Sequence, residues 1–470
     1  MNRKPGCLRR PRARPGRLAF AIAIAVALAG CERATPPPAA PAVDSAFLLT
    51  IDTWRADHFG AGGHPGVRTP WLDRFFRGGT QFSQAYSCVP TTLASHATML
   101  SGRWPSEHGV PRNGWPLAAD VPLLPDSLAD VHSGAFVSSA ALDPRLGLAR
   151  AFERYDFEVP HAVEGDQAWR SAGDTLARAR EWWRSRAGSR RFLWVHLFEP
   201  HFPYAPDPID RAVYDTGYSG PADGSMRFLY AMWDDPSLLP PDARDHLESL
   251  YVAEIAGLDR VVGPFLAEIL AEPSLLAVIT SDHGESLGEH DLRFKHGPYV
   301  YPADVRVPLV LTGTSEFRAG VSDRLVRTID LHATLLAALG GGEDPATDSV
   351  DLAGGGRDLP VFAEASMPWD VEPAQGWANT YKQRVLRTRE WSIVDTPWRR
   401  ERTFYDRRTD PDELNGLASP PPAAAALAAG LEDWSSRAAG HARAEIDPEL
   451  RAQLEALGYT DSDSPAGGRR

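Results

Sequence analysis

The stretch A-F-L-L-T-I-D at residues 46–52 sets a short, mostly apolar run directly before a carboxylate. A run of that length reads as a buried β-strand, with Asp52 at its carboxyl end. The pattern recurs along the chain. R-F-L-W-V-H-L-F at 191–198 is followed by Glu199, and L-L-A-V-I-T at 275–280 by Ser281-Asp282-His283-Gly284-Glu285; V-P-L-V-L at 307–311 is a fourth such run. Long amphipathic or Ala-rich stretches, residues 172–185 and 249–269 among them, lie between the runs. This alternation predicts an α/β fold with a mostly parallel central sheet flanked by helices. Ligands of open α/β sheets sit outside the carboxyl ends of the strands, so these acidic groups are expected to converge there.

Carboxylates crowded together repel one another unless a cation neutralises them. Asp52, Asp282 and His283 form a mixed oxygen and nitrogen donor set, which suits Zn or Mn better than Ca while leaving Ca open. Taken one at a time, each Asp also reads as a helix N-cap after its strand. Two loop segments add polar groups. H-L-F-E-P-H-F-P-Y at 196–204 runs from a strand into a Pro-bounded loop, and R-F-K-H-G-P at 293–298 carries one of only three lysines, at 4, 295 and 382. A chain that otherwise writes its basic residues as Arg keeps an ammonium at Lys295, as expected where a compact point charge is wanted. His201 and His296 are candidates on these loops, beside the plainer reading of satisfied loop histidines. His196, on a strand, reads as a packed residue, and His58, His108 and His290 are assigned no role.

Residues 88–110, C-V-P-T-T-L-A-S-H-A-T-M-L-S-G-R-W-P-S-E-H-G-V, read as a helix entered at Thr91 and Thr92 and stopped at Gly102. A hydroxyl at a helix N-terminus is well placed beside an anionic group. An ordinary N-cap at Thr91 or Thr92 accounts for the same residues.

The chain opens with seven basic residues, Arg3, Lys4, Arg9, Arg10, Arg12, Arg14 and Arg17, and then an apolar run at 18–29 that ends L-A-G-C at 28–31. A basic region followed by an apolar run of about a dozen residues is an export signal, too short to span a bilayer. The L-A-G-C junction resembles a bacterial lipobox, which predicts lipidation of Cys31 and a Pro/Ala-rich tether over 31–44. The protein is thus expected to be exported and lipid-anchored to the bacterial cell envelope, on a periplasmic or outer-membrane face. Cys88 is then the sole thiol of the mature chain, and no internal disulfide is possible. The formal charge of −13 becomes −20 without the seven basic residues, which argues against nucleic-acid binding.

Six ordered segments then resemble a known family, the sulfatase-like branch of the alkaline phosphatase superfamily. They are I-D-T-W-R-A-D-H-F-G at 51–60, T-L-A-S-H-A-T-M-L-S-G-R at 92–103, W-P-S-E-H-G-V at 104–110, H-L-F-E-P-H-F-P-Y at 196–204, T-S-D-H-G-E-S-L-G-E-H at 280–290 and R-V-P-L at 306–309, with F-Y-D-R-R-T-D-P-D-E-L-N at 404–415 resembling the family's closing signature. The resemblance implies a metal-dependent ester hydrolase with Asp52, Asp282 and His283 as metal ligands. It implies Lys295 and His201 as contacts to the transferring group, and, in two-metal branches, Glu199, His201 or His296 at a second ion, with His96 a further candidate for that ion or for the substrate. Thr92 stands at the nucleophile position, ten residues before Gly102, where it would also coordinate the metal. Sulfatases carry Cys or Ser there, later oxidised to formylglycine. Thr cannot be converted, so no formylglycine is expected, and Cys88 is out of register with Gly102. His96 replaces the motif Arg, Thr53 replaces the second Asp of the usual pair, and the G-K-W-H-L-G segment has no counterpart at 134–139. A Thr nucleophile resembles the phosphodiesterase, nucleotide pyrophosphatase and phosphoethanolamine-transferase branches.

The reading is therefore an exported ester hydrolase acting on a phosphate or sulfate ester of a small molecule, glycan or lipid, through a covalent intermediate on Thr92. A head-group transferase or a catalytically degenerate binding protein are the alternatives, and the oligomeric state stays open. Residues 1–30 are assigned to the signal, 31–44 to the tether, 45–340 to the catalytic domain, 341–460 to a C-terminal subdomain and 461–470 to a disordered tail. The subdomain is expected to hold a small antiparallel sheet from strands at 383–389, 390–396 and 402–406, with a linker at 420–430 and a helix at 448–457. Trp377, Tyr381 and Trp391 read as core.

Overall fold

Strand β1 (Ser45–Ile51) is buried along its whole length, and its side chains alternate between two cores. Ala46 and Leu48 pack on one side of the sheet, Phe47, Leu49 and Ile51 on the other, as the two-residue period of a strand requires. This computed structural model describes residues 42–159, 169–365, 382–437 and 448–450. The remaining strands of the main sheet are β2 (Thr80–Tyr86), β3 (His132–Val137), β4 (Arg154–Asp156), β5 (Arg191–Leu197) and β6 (Leu275–Ser281), then, after a short ribbon of β7 (Ser286–Leu287) and β8 (Arg293–Lys295), β9 (Leu309–Thr312) and β10 (Gly320–Arg327). The order across the sheet is β10-β2-β9-β6-β1-β5-β3-β4. Every pairing is parallel except those of β9, the run expected from 307–311, which lies antiparallel between β2 and β6.

Among the described residues, the helices of nine residues or more are α1 (Pro70–Gly78), α2 (Thr92–Ser101), α3 (Ala172–Ser185), α4 (Met226–Asp234), α5 (Pro241–Ile269), α6 (Asp330–Ala338) and α7 (Ala424–Ser436). Leu93, Ala97 and Leu100 of α2 and Leu331 and Leu335 of α6 fill the core on the Ala46 and Leu48 side of the sheet. On the other side α1, α3 and α5 supply Phe76, Trp182 and Phe265. Helix α5 starts well before the expected residue 249, because Pro241 sits at its first turn, where a missing N–H costs nothing.

A second, four-stranded antiparallel sheet follows, β11 (Val361–Glu364), β12 (Arg384–Arg387), β13 (Trp391–Thr396) and β14 (Glu401–Asp406). It adds β11 to the three expected strands. Part of the expected linker at 420–430 is instead the first half of α7, whose Leu427, Leu431 and Trp434 pack with Cys88, Trp104, Leu386 and Ile393. Trp391 is partly buried against this cluster. Cys31, Trp377, Tyr381, the tail at 461–470 and most of the helix expected at 448–457 lie outside the described residues; 448–450 are helical.

Candidate active site

Strand register alone brings two of the site residues together. Ile51 is paired with Leu197 on one side and Ser281 on the other, so Asp52 and Asp282 leave adjacent strands at the same level. Both carboxylates are fully buried. His283 follows, its Nδ1 donating to the Gly284 carbonyl at 2.9 Å, which leaves the Nε2 lone pair facing the carboxylates. That Nε2 lies 3.6 Å from Asp52 Oδ1 and 3.6 Å from Asp282 Oδ2. All three atoms are buried without a hydrogen-bond partner.

Helix α2 carries Thr92 into this group. The helix is locked in place at three points: Ser95 Oγ donates to the Asp282 carbonyl at 2.7 Å, Leu93 N–H donates to Asn113 Oδ1 at 2.8 Å, and Gly102 closes the helix at φ 67°. Neither threonine acts as the N-cap by its side chain. Thr91 Oγ1 is buried without a partner, and Thr92 Oγ1 lies 3.5 Å from Asp52 Oδ2. Thr53, next to Asp52, is held at φ 53° with its hydroxyl buried and unpartnered. A β-branched residue in the left-handed region is strained, and such strain concentrates at functional sites.

The histidines divide into two sets. His201 Nδ1 is bonded to the Phe202 carbonyl at 2.5 Å, its Nε2 has no partner, and its ring centroid lies 5.0 Å from that of His296, which is 4.5 Å from His283. His296 Nδ1 is 3.4 Å from Glu285 Oε1, and Glu285 also accepts the Tyr204 hydroxyl. His96 is spoken for: Nδ1 donates to the Thr92 carbonyl at 2.7 Å and Nε2 meets Thr50 Oγ1 at 2.9 Å. At the motif-Arg position it thus fixes the first turn of α2, and its ring also belongs to a group of converging donor atoms with His196 and Asp282, all within 4.8 Å of one another. His196, read from sequence as a packed strand residue, instead has both ring nitrogens unpartnered and its Nε2 3.4 Å from Asp52 Oδ2.

Two further candidates have partners outside this group. Glu199 Oε1 accepts the Ala172 N–H at 3.0 Å, at the start of α3, and Glu199 is not among the groups of described residues whose donor atoms converge. One more residue along the chain than Asp52 and Asp282 suffices to turn it to that helix. The Lys295 ammonium lies over the Trp233 ring, 4.9 Å from its centroid. Cys88 sits in the apolar cluster under α7, where burial pushes its thiol up to about 12, an inert state.

Burial dominates the electrostatics. It raises the carboxyls of Asp52 and Asp282 above their ordinary values, Asp52 adding to the effect at Asp282. It also pushes His196 down to about 4 and His96 down to about 3, lowers His201, and raises Glu285 to about 8. A divalent cation takes ionised carboxylates and neutral imidazoles as ligands, so it reverses the first effect and profits from the second. The donor atoms of Asp52, Asp282 and His283 lie within 4.8 Å of one another, and their unpartnered state is what an ion would satisfy.

The family described as Sulfatase matches residues 45–341. The chain belongs to the sulfatase family. It is an ester-bond hydrolase of that family. An ulvan-active sulfatase of Formosa agariphila is 22% identical over 414 residues, covering 80% of this chain and 77% of that one. The multifunctional alkaline phosphatase superfamily protein PehA of Trinickia caryophylli is 24% identical over 496 residues, covering 83% and 94%. Among solved structures, the phosphonate monoester hydrolase of Agrobacterium radiobacter superposes with a TM-score of 0.65 at 21% identity, covering 92% of this chain and 100% of that one.

Proposed function

We propose that this hydrolase cleaves a phosphate or sulfate ester by way of a covalent intermediate on Thr92, with one or two divalent ions bound at Asp52, Asp282 and His283. The observation that carries the reading is the Thr92 hydroxyl set against Asp52 at the start of α2, 3.5 Å from a carboxylate that shares its donor cluster with Asp282 and His283. When bound there, a divalent ion would screen the charge of an anionic ester and lower the pKa of the threonine hydroxyl. Thr92 Oγ1 attacks phosphorus or sulfur as its proton passes to Asp52 Oδ2, the acceptor it faces, the ester oxygen leaves with a proton, and Thr92 is left esterified. Water attacks the same centre in the second step, releasing inorganic phosphate or sulfate and restoring the hydroxyl. His201 is neutral with its Nε2 bare, so we assign it to take up a proton from solvent as the anionic ester binds and to pass that proton from Nε2 to the leaving oxygen, while Lys295 supplies positive charge for the non-bridging oxygens.

Phosphoryl transfer is favoured over sulfuryl transfer. A formylglycine diol sheds its sulfate by elimination, a route closed to threonine, which depends on a second displacement. The similar proteins span both chemistries by their names, sulfatase in one case and phosphonate monoester hydrolase in another. The test is turnover of aryl sulfate, aryl phosphate and aryl phosphodiester by purified protein whose metal content is measured in parallel. Release from the phosphorus esters is expected to exceed release from the sulfate, and turnover of none of the three by metal-loaded protein would overturn the reading.

Export and anchoring belong to the same proposal. The basic opening, the apolar run at 18–29 and Cys31 support a lipidated N-terminus at the cell envelope. Among the described residues no helix is long and apolar enough to cross a membrane. Cys31→Ser is expected to move the protein from the membrane to the soluble fraction, and an unmodified Cys31 in the membrane-bound protein would contradict the assignment.

A further inference from the structure

Three groups of metal-binding donors converge among the described residues, and two of them share Asp282 at the site above. The third, His58, His64 and Glu248, has no residue in common with those two, and its donor atoms also lie within 4.8 Å of one another. Chain folding accounts for the meeting. A tight turn at Gly60–Gly62, closed by Gly63 at φ 99°, folds the loop after β1 back on itself and sets the His64 ring against that of His58, centroids 4.8 Å apart. Glu248 comes from α5, one turn before Tyr251, whose ring packs on His58 at 5.4 Å and whose hydroxyl donates to the Thr53 carbonyl at 2.8 Å.

His58 is only 5% exposed. Its Nδ1 donates to Asp57 Oδ1 at 2.7 Å, and its Nε2 is buried without a hydrogen-bond partner. A carboxylate behind the far nitrogen is the usual support of a metal-bound histidine, because it fixes the tautomer that leaves Nε2 bare. Glu248 Oε1 lies 3.7 Å from that Nε2. The gap is too long for a hydrogen bond but close to the spacing of two ligands on one four-coordinate ion, about 3.4 Å for bonds of roughly 2.0–2.2 Å. Charge points the same way. Burial opposes a charge on His58, the flanking Asp57 and Glu248 carboxylates favour one, and the balance lifts its pKa above the ordinary value. A proton on Nε2 faces Glu248 across 3.7 Å, whereas a cation between them bonds to both.

We infer that His58, His64 and Glu248 form a further metal site, separate from the catalytic cluster, for a divalent transition ion such as Zn²⁺, with water completing a tetrahedral set. Two imidazoles and one carboxylate suit Zn²⁺ and are poor donors for Ca²⁺ or Mg²⁺. Glu248 and His64 are partly exposed, so an ion reaches them from solvent. His64 limits the affinity. Its Nδ1 accepts the Gly66 and Val67 N–H groups at 3.2 Å each, and ligation costs the ring either these contacts or the proton on its other nitrogen. An ion held here joins the loop after β1 to α5, beside the Tyr251 bond to the strained Thr53 that follows Asp52.

The test is Zn²⁺ calorimetry and X-ray absorption on the full chain carrying Asp282→Asn, which removes the residue common to the other two donor groups. One ion with two imidazoles is expected. Adding His64→Ala or Glu248→Gln, at partly exposed positions that the fold tolerates, should lower the affinity at least about 10-fold, and His64→Ala should leave one imidazole. Should Asp282→Asn fail to fold, the same two substitutions are read in the otherwise wild-type chain, where each is expected to remove one equivalent of bound Zn²⁺. Affinity or stoichiometry unmoved by either substitution, or an Asp282→Asn chain that folds and takes up no Zn²⁺, overturns the site. Neither result bears on the metal proposed beside Thr92, which the wild-type metal content decides.

Discussion

The Thr92 hydroxyl lies 3.5 Å from Asp52 Oδ2, while Oδ1 of the same carboxylate is left without a hydrogen-bond partner. One oxygen thus orients the alcohol and the other faces the donors of His283 and Asp282. A bystander N-cap has no use for that division.

The first prediction follows directly. Thr92→Ala is expected to lose roughly 10³-fold or more in kcat/KM, in line with removal of a covalent nucleophile. Thr92→Ser keeps a hydroxyl at the same place and retains measurable turnover. Rapid acid quench with intact-protein mass spectrometry should catch wild-type chains heavier by one phosphoryl or sulfuryl group, and peptide mapping should place it at Thr92. Cys88→Ala, deep under α7, is expected to stay within a few-fold of wild type and to cost roughly 1 kcal/mol of stability through the small cavity it leaves. An adduct on Cys88, or full activity in Thr92→Ala, contradicts the assignment.

Metal removal is the second. Ligand binding to the native state alone stabilises by mass action, about 2.7 kcal/mol at a free ion concentration 100 times Kd. Chelated protein should therefore melt lower, and Zn²⁺ or Mn²⁺ should restore both the melting temperature and the activity. Asp282→Asn should greatly reduce the ion-dependent shift, because the converging donor set loses a charge. Equal melting temperatures with and without ion in the wild type would count against a bound cation.

Which parts of this were legible in the sequence follows from burial. β1, β5 and β6 are buried on both faces and so read as unbroken apolar runs, and the residues that follow β1 and β6 were found with them. β2 was not found, since T-Q-F-S-Q-A-Y buries only Phe82, Ala85 and Tyr86 and looks like a polar loop. β3 hides behind Gly134, where a Cβ would meet the Trp182 ring at 2.8 Å, so the residue that looks like a strand breaker is there for packing. His196 was missed for a different reason. A histidine inside an apolar run gives no sign of which neighbour it faces, and only the pairing of Ile51 with Leu197 sets it beside Asp52. Glu199, which follows a strand just as Asp52 does, shows the limit of that pattern.

A third prediction concerns pH. His332 of α6 packs under α2, with Nδ1 on the Leu100 carbonyl at 3.0 Å, and burial lowers its pKa from the ordinary value of 6.5. A histidine held neutral in the folded state contributes stability that is present above the unfolded pKa of about 6.5 and is lost as pH falls through the folded value. Urea denaturation of chelated protein should give a lower midpoint at pH 5.5 than at pH 7.5, and His332→Gln should flatten part of that difference. An identical pH dependence in the variant would show that His332 does not titrate in this window.

The last prediction concerns how the second sheet is fastened beside the site. Arg387 of β12 donates from Nε and Nη2 to the two carboxylate oxygens of Glu413 at 2.7 and 2.6 Å, and Nη2 also reaches the Val300 carbonyl at 2.6 Å. Both side chains are wholly buried. Glu413 belongs to the closing signature T-D-P-D-E-L, and Val300 lies four residues after His296, so this pair ties the tail motif to the loop that carries a site histidine. Breaking a buried pair from one side strands a charge in a medium that cannot solvate it, at a cost of about 3–5 kcal/mol. Arg387→Met should be destabilised by that amount, whereas Arg387→Met with Glu413→Gln, which removes the stranded charge, should recover a substantial share. A double-mutant cycle by urea denaturation reads the difference, and a double variant no more stable than Arg387→Met would mean that the ion pair is not what secures this edge of the fold.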